Sequence, residues 1–344
     1  MSVTPKQLAS LLAAMIPARL PLLITGAPGI GKSDIIGQAA QAAQADLIIS
    51  HPAVADPTDF KGLPWFQAGD TFASFKPFGE FHRALTATKP LVWLLDDLGQ
   101  APPSVQAACM QLLLARRVNG HILPDCVTFV AATNRRVDRA GVSGILEPVK
   151  SRFPSIVELE ANIDDWCNWA YAHSVSPTLI AFLRYRSPLL CDFKATADLT
   201  NSPVPRTWHH LAKLEALNLP SEIEAQAMAG AVGEGASLEY LAFRSMAKSL
   251  VNLDAILLNP DKAVIPSKPS ELYATCVGLA SRANDQNFAR ISTYANRLYS
   301  EAGHGEFAVL LVRDAVVRDA KIQYTDSFVR LNSGPLGQLI SGRN

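Results

Sequence analysis

The sequence predicts an α/β fold, a three-layer αβα domain with a parallel sheet, followed by helical regions. Apolar runs of strand length alternate with helical segments before residue 160, and a glycine-rich turn joins the first run to the helical segment Ser33–Ala45. The runs are Leu20–Thr25, Leu47–Ser50, Leu91–Leu95 and Val127–Ala132. Strands that alternate with helices form parallel sheets covered on both faces. Beyond Arg152 the strand-like runs give way to helical ones.

The helical segments divide the rest of the chain. They are Ala101–Arg116 within the sheet region, Ile163–His173, Pro177–Arg186, Trp208–Leu217 and Ser221–Ala231 after it, and finally Glu271–Ala283, Phe288–Ala302 and Phe307–Ala320. Three prolines in Asn259–Ser270 mark a boundary between the last two groups. We therefore expect an αβα domain over 1–160, an all-α lid over 161–262 and a C-terminal helical extension over 263–344.

One segment breaks this alternation. In Phe60–Pro77, the runs Trp65–Phe66 and Thr71–Phe75 flank the turn Ala68-Gly69-Asp70, which predicts a β-hairpin inserted into the domain. Its aromatic side chains could line a central pore and grip a client, or pack against their own domain. They are Trp65, Phe66, Phe72 and Phe75.

Composition limits the class of protein. Of 344 residues, 49% are apolar and 18% charged, and Lys+Arg and Asp+Glu both total 31. Basic and acidic residues number 14 and 13 up to residue 160, which leaves 17 and 18 after it. Because neither part carries a large net charge, a protein that binds nucleic acid mainly through phosphate neutralisation is disfavoured. No apolar run approaches the ~18 residues of a membrane helix, so we expect no membrane partner.

The cysteines and the N-terminus indicate a cytoplasmic protein. The 5 cysteines are scattered and form no CxxC, which favours reduced core thiols over disulfides or zinc. The apolar run Leu8–Ile16 after Lys6 resembles a signal peptide, but Pro17 and Arg19 interrupt it. Its apolar residues lie at helical spacing, so we expect an amphipathic first helix that is not cleaved.

The strongest motif lies between the first strand and the first helix of the sheet region. It is Gly26-Ala27-Pro28-Gly29-Ile30-Gly31-Lys32-Ser33, which fits G-x-x-x-x-G-K-[ST]. Glycines let the backbone approach a phosphate, whose oxygens the N–H groups of the helix start then bind. We expect Lys32 to reach the β- and γ-phosphates and Ser33 to coordinate Mg²⁺. The motif predicts a phosphate-binding loop.

Two further strands end in polar residues suited to the same site. Leu91–Leu95 is followed by Asp96 and Asp97, and Val127–Ala132 by Thr133 and Asn134. We expect Asp96 to hold Mg²⁺ through water and Asp97 to orient or deprotonate the attacking water. An amide at the neighbouring strand end, here Asn134, can bind that water or the γ-phosphate. The alternative for each is an ordinary strand cap or turn residue.

Arginines cluster near the predicted site. Of the eight before residue 160, six fall between 116 and 152, namely Arg116, Arg117, Arg135, Arg136, Arg139 and Arg152. One or more could reach the nucleotide of a neighbouring subunit, as an arginine finger does, although isolated arginines are usually solvated surface residues. Later, Pro205 opens a helix and places Arg206 at its start.

Together these residues resemble the AAA+ ATPases and, within them, the MoxR-like group, over about residues 8–250. Gly26–Ser33 corresponds to Walker A, Leu91–Asp97 to Walker B and Asn134 to sensor 1. Arg152, in Ser151-Arg152-Phe153, corresponds to the arginine finger and Arg206 to sensor 2. Asp56–Gly62 resembles the stretch before the hairpin insert on helix 2, and Gly99–Val118 resembles the helix after Walker B. Asp97 departs from the family, which usually has Glu at this position.

The resemblance implies a ring, usually a hexamer, with ATP at the subunit interfaces. It also implies a chaperone-like role that remodels or activates a protein partner, often one with a von Willebrand factor A domain. Because Asp97 is one methylene shorter than Glu, an ATP-gated scaffold with weak hydrolysis is an alternative. A ring motor that acts on nucleic acid is another, against which the charge balance argues. A small-molecule kinase would explain neither Asn134 nor Arg206.

Overall fold

The computed structural model describes residues 2–69, 71–138, 141, 143–250 and 252–341. The chain divides into two compact units. One contains the residues up to Asn162 together with Phe193–Asp198, and the other contains Ile163–Asp192 and Leu199–Asn344. The further division of the helical part at residue 262 stays a prediction.

A six-stranded parallel sheet forms the centre of the first unit. The strands of this unit are β1 Ser2–Val3, β2 Leu22–Gly26, β3 Asp46–Ser50, β4 Leu63–Trp65, β5 Ser74–Lys76, β6 Leu91–Leu95, β7 Arg117–Val118, β8 His121–Ile122, β9 Val127–Asn134 and β10 Ser155–Leu159. The sheet has the order β1-β10-β2-β9-β6-β3, and β4–β5 and β7–β8 are two separate hairpins. The predicted parallel sheet and inserted hairpin are confirmed.

Helices cover the two faces of this sheet. They are α1 Pro5–Ala18, α2 Lys32–Ala42, α3 Pro57–Lys61, α4 Gly79–Leu85, α5 Pro103–Ala115 and α6 Glu147–Lys150. Side chains alternate across each strand, and on one face Leu23, Trp93 and Phe129 pack into a core with α3, α4 and α5. On the other face, Thr128 Oγ1 donates a hydrogen bond of 3.0 Å to the carbonyl of Ile16 in α1.

Several boundaries differ from those that the sequence predicts. β9 runs on to Asn134, so that this residue ends the strand, and α1 continues through Pro17 to Ala18. In the inserted hairpin, Leu63 pairs with Lys76 and Trp65 with Ser74, and the predicted strand residue Phe66 lies in the connection. Asp70, from the predicted turn, lies outside the described residues. The strands β1 and β10 and the hairpin β7–β8 were not predicted.

The second unit is helical. Its helices are α7 Ile163–Ala172, α8 Pro177–Tyr185, α9 Pro205–Glu215, α10 Ser221–Val232, α11 Glu234–Leu250, α12 Leu253–Leu258, α13 Pro269–Ser281, α14 Phe288–Ser300, α15 Gly305–Arg318, α16 Asp326–Asn332 and α17 Pro335–Ser341. Arg184 of α8 donates hydrogen bonds of 2.7 Å to Asp314 of α15 and to Asp164 of α7. Asp314 also accepts a hydrogen bond from the Tyr171 hydroxyl at 2.8 Å. A largely buried polar cluster therefore joins the first helices of the unit to a late one.

The cysteines are free thiols. Burial raises the pKa of Cys109 and of Cys167 to about 12, which keeps both protonated at neutral pH. Within the described part of the chain, no helix combines the length and the apolar character that crossing a membrane requires.

Candidate nucleotide-binding site

The glycine-rich loop leads from β2 directly into α2. Gly26 ends β2 so close to β10 that a Cβ on it would lie 2.9 Å from the carbonyl oxygen of Leu159. Gly31, at the start of α2, has a φ of 104°, which favours glycine. Among the described residues, no side chain caps α2. The N–H groups of its first turn thus provide an anion site reinforced by the helix dipole.

Lys32 is held inside this loop. Its side chain is buried, and Nζ donates hydrogen bonds to the carbonyls of Gly26 at 3.0 Å and Ala27 at 3.1 Å. Nζ also donates to Asn134 Oδ1 at 2.8 Å. The contact follows from the sheet, because β2 and β9 are neighbours and Gly26 is in register with Asn134. The ammonium group is therefore fixed at the carboxyl ends of two adjacent strands.

Asp96 and Asp97 follow β6, the neighbour of β9. The Ser33 hydroxyl donates to Asp96 Oδ2 at 2.7 Å, and the backbone N–H of Asp97 donates to Asp96 Oδ1 at 3.1 Å. Asp97 has a φ of 55°, in the left-handed region that few residues other than glycine, Asn and Asp adopt. Asn134 Nδ2 donates to Asp97 Oδ1 at 3.1 Å. The structure thus brings together five predicted residues from two strand ends and one helix.

The oxygen donors present fit Mg²⁺. The Ser33 hydroxyl and the Asp96 carboxylate are hard ligands that lie within hydrogen-bond distance of each other. Mg²⁺ is usually bound by one or two such groups, several waters and substrate phosphates rather than by an all-protein cage. Among the described residues, no three or more His, Cys, Asp or Glu side chains are grouped to hold a metal ion by themselves.

The arginines near the site have different surroundings. Arg135 donates a bidentate pair of hydrogen bonds to Asp138, each 2.8 Å long, and a third of 3.2 Å to Glu158. The bond to Asp138 is the main cause that raises the pKa of the Arg135 guanidinium. Arg136 is exposed, and Arg139 lies outside the described residues. Arg135 therefore acts within its own chain in this arrangement, whereas Arg136 is accessible.

The two arginines that the resemblance singled out lie in different units. Arg152, just after α6, is half-buried, and its guanidinium donates to the backbone carbonyls of Met110 at 2.9 Å and of Pro148. Arg206 is exposed in the first turn of α9, in the helical unit. The roles of both as finger and sensor stay predictions.

Sequence reasoning missed two polar residues beside the site. Ser50 ends β3, the neighbour of β6, and its carbonyl accepts from the N–H of Asp96 at 2.9 Å. The Ser50 hydroxyl donates to the carboxylate of Glu80 in α4. For Ser50 the available signal was its place as a polar residue at the carboxyl end of a predicted strand, which is the signal that identified Asp96 and Asn134.

The fold and the glycine-rich loop define a P-loop domain. Residues 21–153 are similar to the class of domain described as AAA domain (dynein-related subfamily). The match includes the loop, both acidic residues, Asn134 and Arg152. The MoxR-like group within that class stays a prediction.

Comparison with curated proteins finds no match. Among solved structures, the RuvB Holliday junction branch migration motor of Thermotoga maritima is 17% identical with a TM-score of 0.39, and covers 75% of this chain and 75% of its own. NtrX from Brucella abortus in complex with ATP is 13% identical with a TM-score of 0.43, and covers 89% of this chain and 68% of its own. At these sequence identities and TM-scores, neither protein assigns a property to this chain.

Proposed function

We propose that this chain binds and hydrolyses Mg-ATP, assembles into a ring and uses hydrolysis to remodel or activate a protein partner. The observation that carries the proposal is the continuous set of hydrogen bonds that joins Lys32 through Asn134 to Asp97 at the carboxyl ends of β2, β9 and β6. Ligands of open parallel sheets bind at this edge, which makes it the expected place for a triphosphate.

Each residue of the set has a distinct task in phosphoryl transfer. The N–H groups at the start of α2 bind phosphate oxygens, and Lys32 neutralises charge on the β- and γ-phosphates. Ser33 and Asp96 hold Mg²⁺, which supplies charge stabilisation for the transferred phosphoryl group. Asp97 orients the attacking water and accepts its proton, and Asn134 holds the Asp97 carboxylate in place.

Assembly would complete the site. A P-loop ATPase gains about 10³–10⁵ in rate from an arginine that stabilises the transition-state charge. Arg152 is our candidate to supply it to a neighbouring subunit in a hexameric ring, and Arg206 to contact nucleotide from the lid. Arg136, which is exposed, is a further candidate.

The exposed aromatic side chains of the inserted hairpin favour a protein partner. Trp65 and Phe66 are each 60% exposed and Phe72 is 73% exposed, so most of the surface of each is open to solvent. Exposed apolar groups in a cluster mark contact surfaces. We propose that they contact a polypeptide client, for which a von Willebrand factor A domain protein is a candidate. We propose a cytoplasmic location.

A second candidate is an ATP-gated scaffold with weak hydrolysis. Asp97 favours it, because the side chain is short and is already bound by Asn134. Three measurements on the same sample with Mg²⁺ separate the two candidates. Calorimetry measures ATP binding, phosphate release measures hydrolysis, and sedimentation measures assembly. Binding, hydrolysis and a larger species support the motor, whereas binding and assembly without hydrolysis support the scaffold. No ATP binding would contradict both.

A further inference from the structure

A buried indole connects the strand that carries the acidic residues to Ser50. Trp93 lies in the middle of β6 and is fully buried, and its Nε1 donates a hydrogen bond of 2.7 Å to Ser50 Oγ. The Ser50 carbonyl accepts from the N–H of Asp96 at 2.9 Å. Ser50 therefore holds β6 at two points, one of which is the first residue of the Asp96-Asp97 pair.

The connection continues to the inserted hairpin. The Ser50 hydroxyl donates to the carboxylate of Glu80, in the first turn of α4. The next residue, Phe81, stacks on Trp93 with ring centroids 6.5 Å apart. Phe60 of α3 stacks on the same indole at 6.2 Å. Because α3 precedes the hairpin β4–β5 and α4 follows it, both ends of the insert contact Trp93.

The second hairpin fixes the base of the first. Asn119 Nδ2 donates to the carbonyl of Lys61, just before β4, at 3.0 Å. His121 Nε2 lies 2.7 Å from the carbonyl oxygen of Phe75, in β5. The base of the β4–β5 hairpin is thus anchored on both sides to the β7–β8 hairpin.

We propose that Glu80 is a positioning residue that couples the inserted hairpin to ATP hydrolysis through Ser50 and Trp93. The proposal rests on the proposed function. Contact of a polypeptide with the hairpin shifts α4, and with it the Glu80 carboxylate. Ser50 then loses its charged acceptor, and the carboxyl end of β6 moves with it. A displacement of about 1 Å at a catalytic group costs up to about 10²-fold in rate, so a small shift of Asp97 regulates turnover.

The test is a double-mutant cycle on kcat and KM for ATP in the full-length chain. Its variants are Glu80→Ala, a chain with residues 66–73 replaced by Asn-Gly, and both together. Glu80→Gln keeps an acceptor for Ser50. Arg83→Ala is the matched control, because Arg83 is exposed on the same helix without a side-chain partner among the described residues.

We expect Glu80→Ala to lower kcat at least about fivefold and to leave KM within about twofold, since the phosphate loop is untouched. Glu80→Gln and Arg83→Ala should stay close to the unmodified chain. Shortening the hairpin should change kcat in the chain with Glu80 but not in the chain with Glu80→Ala. Effects that multiply independently, or equal effects of Glu80→Ala and Arg83→Ala, overturn the proposal.

Hydrogen–deuterium exchange tests the connection from Glu80 to β6 without a measurement of hydrolysis. We expect Glu80→Ala to speed exchange in the peptide that covers residues 91–97, relative to Arg83→Ala. If the unmodified chain hydrolyses no ATP, the proposed function fails, and exchange still decides whether Glu80 holds β6. Unaltered exchange in that peptide overturns the proposal.

Discussion

Asn134 ends β9, Asp97 follows β6, and a hydrogen bond of 3.1 Å from Asn134 Nδ2 to Asp97 Oδ1 joins them. The other end of the same amide, Oδ1, accepts from Lys32 Nζ at 2.8 Å. A single side chain therefore bridges the cation of the phosphate loop and the acidic residue after β6. We therefore expect a change in the position of Lys32 on nucleotide binding to reach Asp97 through this amide.

Lys32→Ala should abolish tight ATP binding, because it removes the buried ammonium group that we propose binds the phosphates. We expect the affinity to fall at least about 100-fold, which corresponds to two or more charge-assisted hydrogen bonds. Calorimetry measures it, with Lys89→Ala, an exposed lysine, as the control. An affinity that is the same in both variants would contradict the assignment of the phosphate loop.

Asp97→Asn should lower kcat about 10²–10⁴-fold, the usual contribution of a general base, with little change in ATP affinity. Asn also adopts the left-handed conformation observed at this position, so the backbone should remain intact. Asp97→Glu should preserve or raise turnover, because the longer side chain brings the carboxylate nearer to the water. Steady-state phosphate release checks both variants, and a complete loss with Asp97→Glu would show that the acidic pair is arranged differently.

Arg152→Ala and Lys32→Ala subunits should each be inactive alone and should regain part of the activity when mixed. In a mixed ring, some interfaces combine an intact Lys32 with an intact Arg152 from the neighbouring subunit. Phosphate release at a constant total concentration and varying ratio measures the recovery. Arg152→Lys controls for the hydrogen bonds of Arg152 to its own chain, at the carbonyls of Met110 and Pro148. Mixtures as inactive as their components would contradict a finger supplied by the neighbour.

Glu224→Gln should destabilise the helical unit in a pH-dependent way. Arg244 donates to Glu224 at 2.8 Å, and this hydrogen bonding lowers the pKa of the carboxyl below its usual value of 4.5. A lowered pKa gives stability that is present above the usual value and lost as the pH falls through the folded-state value. We expect the free energy of unfolding to fall by about 1–3 kcal/mol at neutral pH and to be unchanged in acid.

Urea unfolding followed by tryptophan fluorescence, at pH 7 and again in acid below pH 4, tests this pH dependence. Glu222→Gln is the matched control, since Glu222 is exposed on the same helix and has no partner among the described residues. If Glu224→Gln lowers the free energy of unfolding equally at both pH values, packing rather than charge is responsible.

Much of the candidate site could be predicted from the sequence because its signals are local. The spacing from Gly26 to Ser33 determines a strand, a turn and a helix start, and Asp96 and Asn134 end apolar runs of strand length. Parallel strands end at one edge of a sheet, so residues that follow them meet there. The register that pairs Gly26 with Asn134 confirms this reasoning for the sheet.

The connections that depend on pairing across the chain could not be predicted. Glu80 contacts Ser50, and Arg184 contacts Asp314, 130 positions further along the chain, and no periodicity reports such pairs. The hairpin β7–β8 did have a local signal, since its turn is Asn119-Gly120 with both φ angles positive. Asn-Gly favours this type of hairpin turn, and each strand has only two residues, too few for an apolar pattern.

The most direct test of the central claim is ATP turnover per subunit, with Mg²⁺, as a function of protein concentration. Because a finger from a neighbour is worth about 10³–10⁵ in rate, specific activity should climb steeply as subunits associate, and Lys32→Ala should stay inactive throughout. Sedimentation of the same samples identifies the associated species. Turnover that is negligible at every concentration, or that Lys32→Ala retains, would contradict the proposed ATPase.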